Sequence, residues 1–265
     1  MMEQLGQNFN WNDASLQAFP NLGTDELHIW WLPLELDQRQ IRPALDLLSD
    51  IQRDKYHRRA TTQLKQNYLA GRYYLLNLLA AYTQQLPSEV LLSYSRLNKP
   101  SLSDRSLAVE FNFTDTDGYG VFAFSLGRHV GVDIESRARK INFKAIADRR
   151  FTQQELEFVY QNGEINTQRC LAIWTRKEAY GKATGLGINF KMNQRNLYSP
   201  DNDVHQYNFR DSDGEPWRCL QLQLGDQLIA SVVHQQHQEL TVKTFKSLHI
   251  NESGSGSGSG SDTEC

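Results

Sequence analysis

Two short stretches of the 265-residue chain hold the side chains best suited to chemistry. The first, "GVDIES" (131–136), is an apolar, strand-like run in which Asp133 and Glu135 are separated by a single isoleucine. Strand side chains alternate faces, so these two carboxylates share one face and repel each other. The acidic outer face of a half-buried strand would read the same way. The second stretch is "WTRKEAYGKATGLGI" (174–188). Trp174, Glu178 and Lys182 follow one another at four-residue spacing and so stack along one helix face, with Lys177 at its flank. Alone, this is also an amphipathic helix with Glu–Lys pairs on its wet side. Joined, the two stretches offer three carboxylates and neighbouring lysines. Three acids about one point make a hard-cation site, where magnesium commonly completes its shell with phosphate oxygens and water. Lysines beside it suit phosphates.

The elements that must position these residues are legible in outline. "DELHIWWLPL" (25–34) reads as a strand with Trp30 and Trp31 as core and Pro33 ending the run. Residues 35–60 are helical in pattern. The clearest helix is 61–86, where Leu64, Tyr68, Leu75, Leu78, Leu79 and Tyr82 recur near helical spacing before Pro87. Strands follow at 90–95 and 107–114, with a turn at 96–102, and 121–127 with 129–135 reads as a hairpin. Helical pattern returns over 143–185, including Thr152 as a cap with Glu155 at the capping-box position. Short strands alternate over 197–245. The fold class is α+β, and the repeated order of strand, helices and strands hints at two similar halves. The division expected is a polar lead at 1–24, one subdomain at 25–127, a second carrying the acids at 128–247, and a flexible Gly/Ser tail at 248–265.

Composition excludes several classes of partner. A net charge of −3, with 39% hydrophobic and 22% charged residues, gives no whole-molecule field for nucleic acid or an anionic membrane. Cys170, Cys219 and Cys265 are widely spaced and lack a C-x-x-C pair, against both a disulfide framework and a zinc site, so a reducing compartment fits. The amino terminus has no basic start followed by an apolar run, and no stretch reaches membrane-span length; the expectation is a cytoplasmic protein. The triplets at Asn112 and Asn251 are then not glycosylation sites.

The two blocks, in this order and some forty residues apart, resemble the paired signature of the 4'-phosphopantetheinyl transferases, specifically the larger, surfactin-synthetase-activating type. "NKPSL", "FNF" and "YLAGRYYLL" extend the likeness across about residues 25–245. The resemblance implies two similar α/β subdomains about a pseudo-twofold axis, with coenzyme A in the cleft between them. It implies a magnesium ion, or manganese in its place, on Asp133, Glu135 and Glu178, and transfer of the phosphopantetheine arm to a serine of an apo-acyl or peptidyl carrier protein by a monomer. Lys182 would contact the phosphate and assist the leaving 3',5'-ADP, while Lys177 and Lys99 would line the anionic site. Glu178 is the candidate base for the carrier serine. The basic cluster 53–59, with Arg58, and Lys65 and Arg72 beyond it, would contact the 3'-phosphate or else form a solvated helix face. One position departs from the family pattern: Asp115 stands where a histidine is usual, and a carboxylate beside a phosphate is repulsive unless a cation intervenes. Either a basic side chain compensates, coenzyme A binds less tightly, or Asp115 belongs to a turn facing water. Thr114 beside it retains a hydroxyl that can donate. The same acids could instead serve a metal-dependent phosphodiesterase, or a non-catalytic coenzyme A or carrier-binding protein.

Overall fold

The computed structural model describes residues 7–9, 19–187, 191–198 and 206–247. Ile188, the tail at 248–265 and most of the polar lead lie outside these residues. The fold is mixed α+β. One sheet runs in the order β1 (Gln7–Phe9), β13 (Thr241–Ser247), β2 (Glu26–Pro33), β6 (Tyr119–Leu126), β5 (Val109–Thr116); the other runs β10 (Gln206–Arg210), β11 (Pro216–Leu224), β12 (Leu228–Gln235), β7 (Val130–Ser136). Helices α1 (Gln38–Asp46), α2 (Asp50–His57) and α3 (Thr62–Thr83) belong to the first part of the chain, and α4 (Phe143–Arg150), α5 (Gln153–Val159) and α6 (Thr167–Thr184) to the second. Two small hairpins, β3 (Leu92–Tyr94) with β4 (Pro100–Leu102) and β8 (Tyr160–Gln161) with β9 (Glu164–Ile165), and a single 3-10 turn at Met192–Gln194 complete the described elements.

Strand alternation explains how these pieces stack. Leu27, Ile29, Val121 and Ala123 of the first sheet pack against Val130, Val132, Ile134, Ala230 and Val232 of the second, in one buried apolar cluster. The opposite face of the first sheet sets Trp30, Leu32, Phe122 and Phe124 against α3 residues Leu75, Leu78 and Leu79. The opposite face of the second sets Cys219 and Val233 against Ala179, Tyr180 and Ala183 of α6. The layers therefore run helix, sheet, sheet, helix, each sheet burying both faces. Trp30 is fully buried while Trp31, on the other face of β2, is only half-buried, and Leu64 at the start of α3 is 45% exposed. Cys170 and Cys219 are buried free thiols.

Two features of the connectivity differ from the sequence reading. The expected hairpin between 121–127 and 129–135 does not form: β6 pairs with β2 and β5, whereas β7 pairs with β12. The hairpin is β5–β6, turning at Asp117 and Gly118, both at positive φ. Between β6 and β7 the chain passes from one sheet to the other, and the edge strands β5 and β7 are joined where the Val132 N–H donates to the buried Asn112 Oδ1 at 2.9 Å. The last strand, assigned by the sequence reading to 128–247, pairs in parallel with β2 in the first sheet, where Lys243 and Glu26 form an ion pair.

Helix α6 lies on β7 with almost no space between the backbones. A Cβ at Gly131 would stand 2.1 Å from Ala179 O and 2.3 Å from Ala183 N, so only glycine fits. Gly131, Asp133 and Glu135 share the α6 side of β7, while Val130, Val132 and Ile134 face the intersheet core. Asp133 and Glu135 are thus carried under α6, not on a wet face. Helix α6 begins at an Asn166 cap and ends at Gly185 in the left-handed conformation.

Lys177 corrects an expectation. Its ammonium does not line an anionic site; it is fully buried, bonding Glu155 at 2.8 Å and the Met192 and Arg195 carbonyls at 2.7 Å. Glu155 closes the Thr152 capping box and also accepts from the Leu197 N–H at 2.7 Å. Burial pulls the Lys177 pKa down and Glu155 pulls it up. The pair ties residues 192–197 to α5 and α6.

Two stability predictions follow from these contacts. Gly131→Ala forces β7 and α6 apart and should cost at least about 1–3 kcal/mol by chemical denaturation; an unchanged midpoint would show that α6 does not sit as described. Lys177→Met leaves Glu155 buried and uncompensated and should cost about 3–5 kcal/mol. Adding Glu155→Gln should recover part of that loss, since an amide still accepts from Leu197; strictly additive losses would contradict the pairing.

Candidate functional site

The acids meet beside a cleft of about 220 Å³ lined by the 97–100 turn, by Asn112 and Phe113 of β5, and by Glu178, Gly181, Lys182, Gly185 and Gly187 of α6 and its end. The first sheet supplies one side of it through β5, and α6, which covers the second sheet, supplies the other. Helical spacing turns Trp174, Glu178 and Lys182 toward β7, as expected from their four-residue intervals. Lys182 Nζ donates to Asp133 Oδ1 at 2.7 Å and to Thr114 Oγ1 at 2.9 Å, spanning β7 and β5. Trp174 Nε1 donates to Glu135 Oε1 at 3.1 Å, and Arg139, in the turn after β7, donates to both Glu135 oxygens. Among the described residues, the Glu178 carboxyl has no hydrogen bond or ion pair.

Electrostatics follows from this crowding. Burial pushes the Glu178 carboxyl up to about 7, with Asp133 and Glu135 adding to the rise and Lys182 and Arg150 opposing it. Burial also raises Asp133, against the pull of Lys182. Asp133 Oδ2 is buried with no partner. An orphaned carboxylate oxygen among mutually repelling acids is a fitting environment for a hard cation with oxygen ligands. As they stand, the acidic side chains are not gathered tightly enough to hold an ion among the described residues, since Lys182 draws on Asp133 and Arg139 on Glu135.

The basic side chains divide into those that reach the cleft and those that do not. Lys99 lines it, its ammonium donating to Ala183 O at 2.6 Å near the end of α6, and burial lowers its pKa. Arg72 on α3 lies over the Phe113 ring at 5.9 Å and the Tyr68 ring at 5.3 Å, and its Nε and Nη1 are buried without hydrogen-bond partners. Lys65 is half-buried seven residues earlier, about two turns along the same helix face. Arg58 is solvated and pairs with Asp54, so the 53–59 cluster is in that part a wet helix face. Its neighbour Arg59 instead covers the Tyr68 ring at 5.0 Å, and its charge acts on Asp115. Lys177 is absent from the cleft, held by Glu155.

Asp115 lies in β5, before the turn, with its side chain exposed. Burial among its neighbours raises its pKa, while Arg59, Arg72 and Lys182 all pull it down. The carboxylate is thus solvent-facing on a strand, not in the turn, and basic groups act on it through charge alone.

Several site residues were not singled out from sequence. Trp174 appeared only as a helix-face residue and turns out to hold Glu135. Gly131 and Arg139 had no assigned role, although the glycine at the head of "GVDIE" and the arginine four residues beyond Glu135 were visible signals; Arg59 appeared only within the 53–59 cluster and Asn112 only within "FNF".

Comparison with known proteins identifies the family. Residues 129–238 match the family model described as the 4'-phosphopantetheinyl transferase superfamily. The chain is 32% identical over 195 residues, 72% of its own length and 77% of the relative's, to slr0495 of Synechocystis sp., whose name assigns it provisionally to the 4'-phosphopantetheinyl transferases. It is 30% identical over 174 residues, 64% of its length and 73% of the relative's, to the 4'-phosphopantetheinyl transferase HetI of Nostoc sp.. With "GVDIE" on β7 and "WTRKEAYGK" on α6 brought face to face, the chain belongs to the 4'-phosphopantetheinyl transferase superfamily and is a transferase.

Proposed function

We propose that the protein transfers the 4'-phosphopantetheine arm of coenzyme A to a serine of an apo-acyl or peptidyl carrier protein, releasing 3',5'-ADP, with a divalent metal, magnesium by preference, as cofactor. The observation that carries this reading is Lys182 of α6 bonded to Asp133 of β7, with Glu178 and Glu135 in electrostatic reach of that pair, beside a cleft lined by β5, the 97–100 turn and α6. In this reading the two sheet-and-helix layers are halves related by a pseudo-twofold axis, the chain crossing between them near residues 127–128 and returning to the first through β13. One chain supplies both walls, so a monomer suffices. The cleft falls below the ~300–1,000 Å³ of pockets that enclose drug-sized ligands, so a molecule of coenzyme A size lies across it.

Each residue has a physical role in that reaction. Asp133, Glu135 and Glu178 would hold the metal, which would supply positive charge to an anionic substrate. Lys182, already bridging Asp133 and Thr114, meets the bridging phosphate and neutralises charge on the departing 3',5'-ADP. Lys99 adds positive potential at the opposite lip of the cleft, and the Thr114 hydroxyl, which accepts from Lys182, keeps its own hydrogen to donate. Arg72, with two orphaned buried nitrogens, and Arg59 meet the 3'-phosphate and offset Asp115, with Lys65 further along the helix. Glu178, which is within electrostatic reach of both Asp133 and Lys182, takes the proton of the carrier serine.

The test is Glu178→Gln, with coenzyme A binding measured by calorimetry alongside turnover on an apo-carrier. Turnover should fall by about 10²–10⁴-fold while coenzyme A still binds and the melting temperature holds. Wild-type turnover would remove Glu178 from the mechanism, and release of free phosphopantetheine without carrier modification would replace transfer with hydrolysis.

A further inference from the structure

The three acids differ in how they are satisfied. Glu178 is unpartnered among the described residues, and Asp133 has one paired oxygen and one orphan. Glu135 is fully engaged, by Arg139 through both oxygens and by Trp174 through one. Its side chain is 7% exposed, whereas that of Arg139 is 48% exposed, so the arginine reaches into the cluster from a solvent-facing turn with room to withdraw. Trp174, rooted in α6, has no such freedom.

Resting on the metal-site reading above, we propose that Arg139 is the resident cation on Glu135 and that a divalent ion must displace it in order to bind. Formal charges make the competition explicit. Three carboxylates with Lys182 and Arg139 sum to about −1 in formal charge, and adding a divalent ion while Arg139 stays would leave about +1 in a partly buried site; if the arginine swings out, the site returns close to neutral. Glu135 also cannot give its oxygens to two cations in the same geometry. The fraction of molecules with Glu135 released then multiplies the intrinsic metal affinity. Arg139 is a positioning residue in this scheme, setting the metal concentration at which the acid cluster assembles.

The experiment titrates the full-length protein with Mn²⁺ and follows free ion by electron paramagnetic resonance, without substrate, for wild type, Arg139→Gln and Arg139→Lys. Arg139→Gln should bind Mn²⁺ about fivefold more tightly, the size expected when a half-exposed ion pair is removed, and its melting temperature should rise further on metal addition than that of wild type. Arg139→Lys keeps the charge and should stay within about twofold of wild type. The difference between wild type and Arg139→Gln should shrink at high salt, where the resident pair is screened. If wild type binds Mn²⁺ and Arg139→Gln binds it equally or more weakly, Arg139 does not compete and the proposal is overturned. If neither protein binds Mn²⁺, the metal-site reading itself fails and the competition goes with it.

Discussion

The site depends on one close approach. Helix α6 reaches β7 only because residue 131 lacks a Cβ, and that contact sets the helix so that side chains at 174, 178 and 182 meet those at 133 and 135. Any side chain at 131 would lift the helix and separate the acids from the lysine that partners them. The apolar face of the same strand, through Val130, Val132 and Ile134, anchors it in the core between the sheets. A single strand therefore serves packing on one face and chemistry on the other, which is why an apolar run can carry two acids.

Charge is managed locally around that contact. Lys182 spans Asp133 and Thr114, Arg139 closes on Glu135, and Arg150 acts on Glu178, so each carboxylate has a basic group within electrostatic reach. None of these groups cancels the repulsion fully, as the elevated Glu178 carboxyl shows. A cluster left short of positive charge is suited to receive a cation and, through it, an anionic substrate. The fully buried Lys177–Glu155 pair works differently, facing away from the cleft and fixing residues 192–197 behind α6. Two lysines five residues apart on one helix thus have separate tasks, one in the frame and one at the site.

Much of this was legible in the sequence because periodicity encodes faces. Alternation placed Asp133 and Glu135 together, and four-residue spacing placed Glu178 and Lys182 on one side of a helix; the structure brings those faces together. Lys177 was misplaced because an adjacent helical position differs by only about 100°, and nothing local shows that its partner, Glu155, waits on another helix. The β6–β7 hairpin was misread for a similar reason: two neighbouring alternating runs pair more often than not, but here the bond from Val132 to Asn112 joins strands of different sheets. The return of β13 to β2 is a long-range pairing that no local pattern records. Arg58 and Arg59 show the limit most sharply, since composition treats them alike and only the tertiary path of α2 into α3 sends one to solvent and the other toward Tyr68 and Asp115.

The most direct measurement is the intact mass of an apo-carrier protein after incubation with this protein, coenzyme A and magnesium, beside a sample containing a chelator. The account predicts a gain of one phosphopantetheine group that the chelator abolishes. A carrier of unchanged mass across acyl and peptidyl types, while coenzyme A still binds, would contradict it.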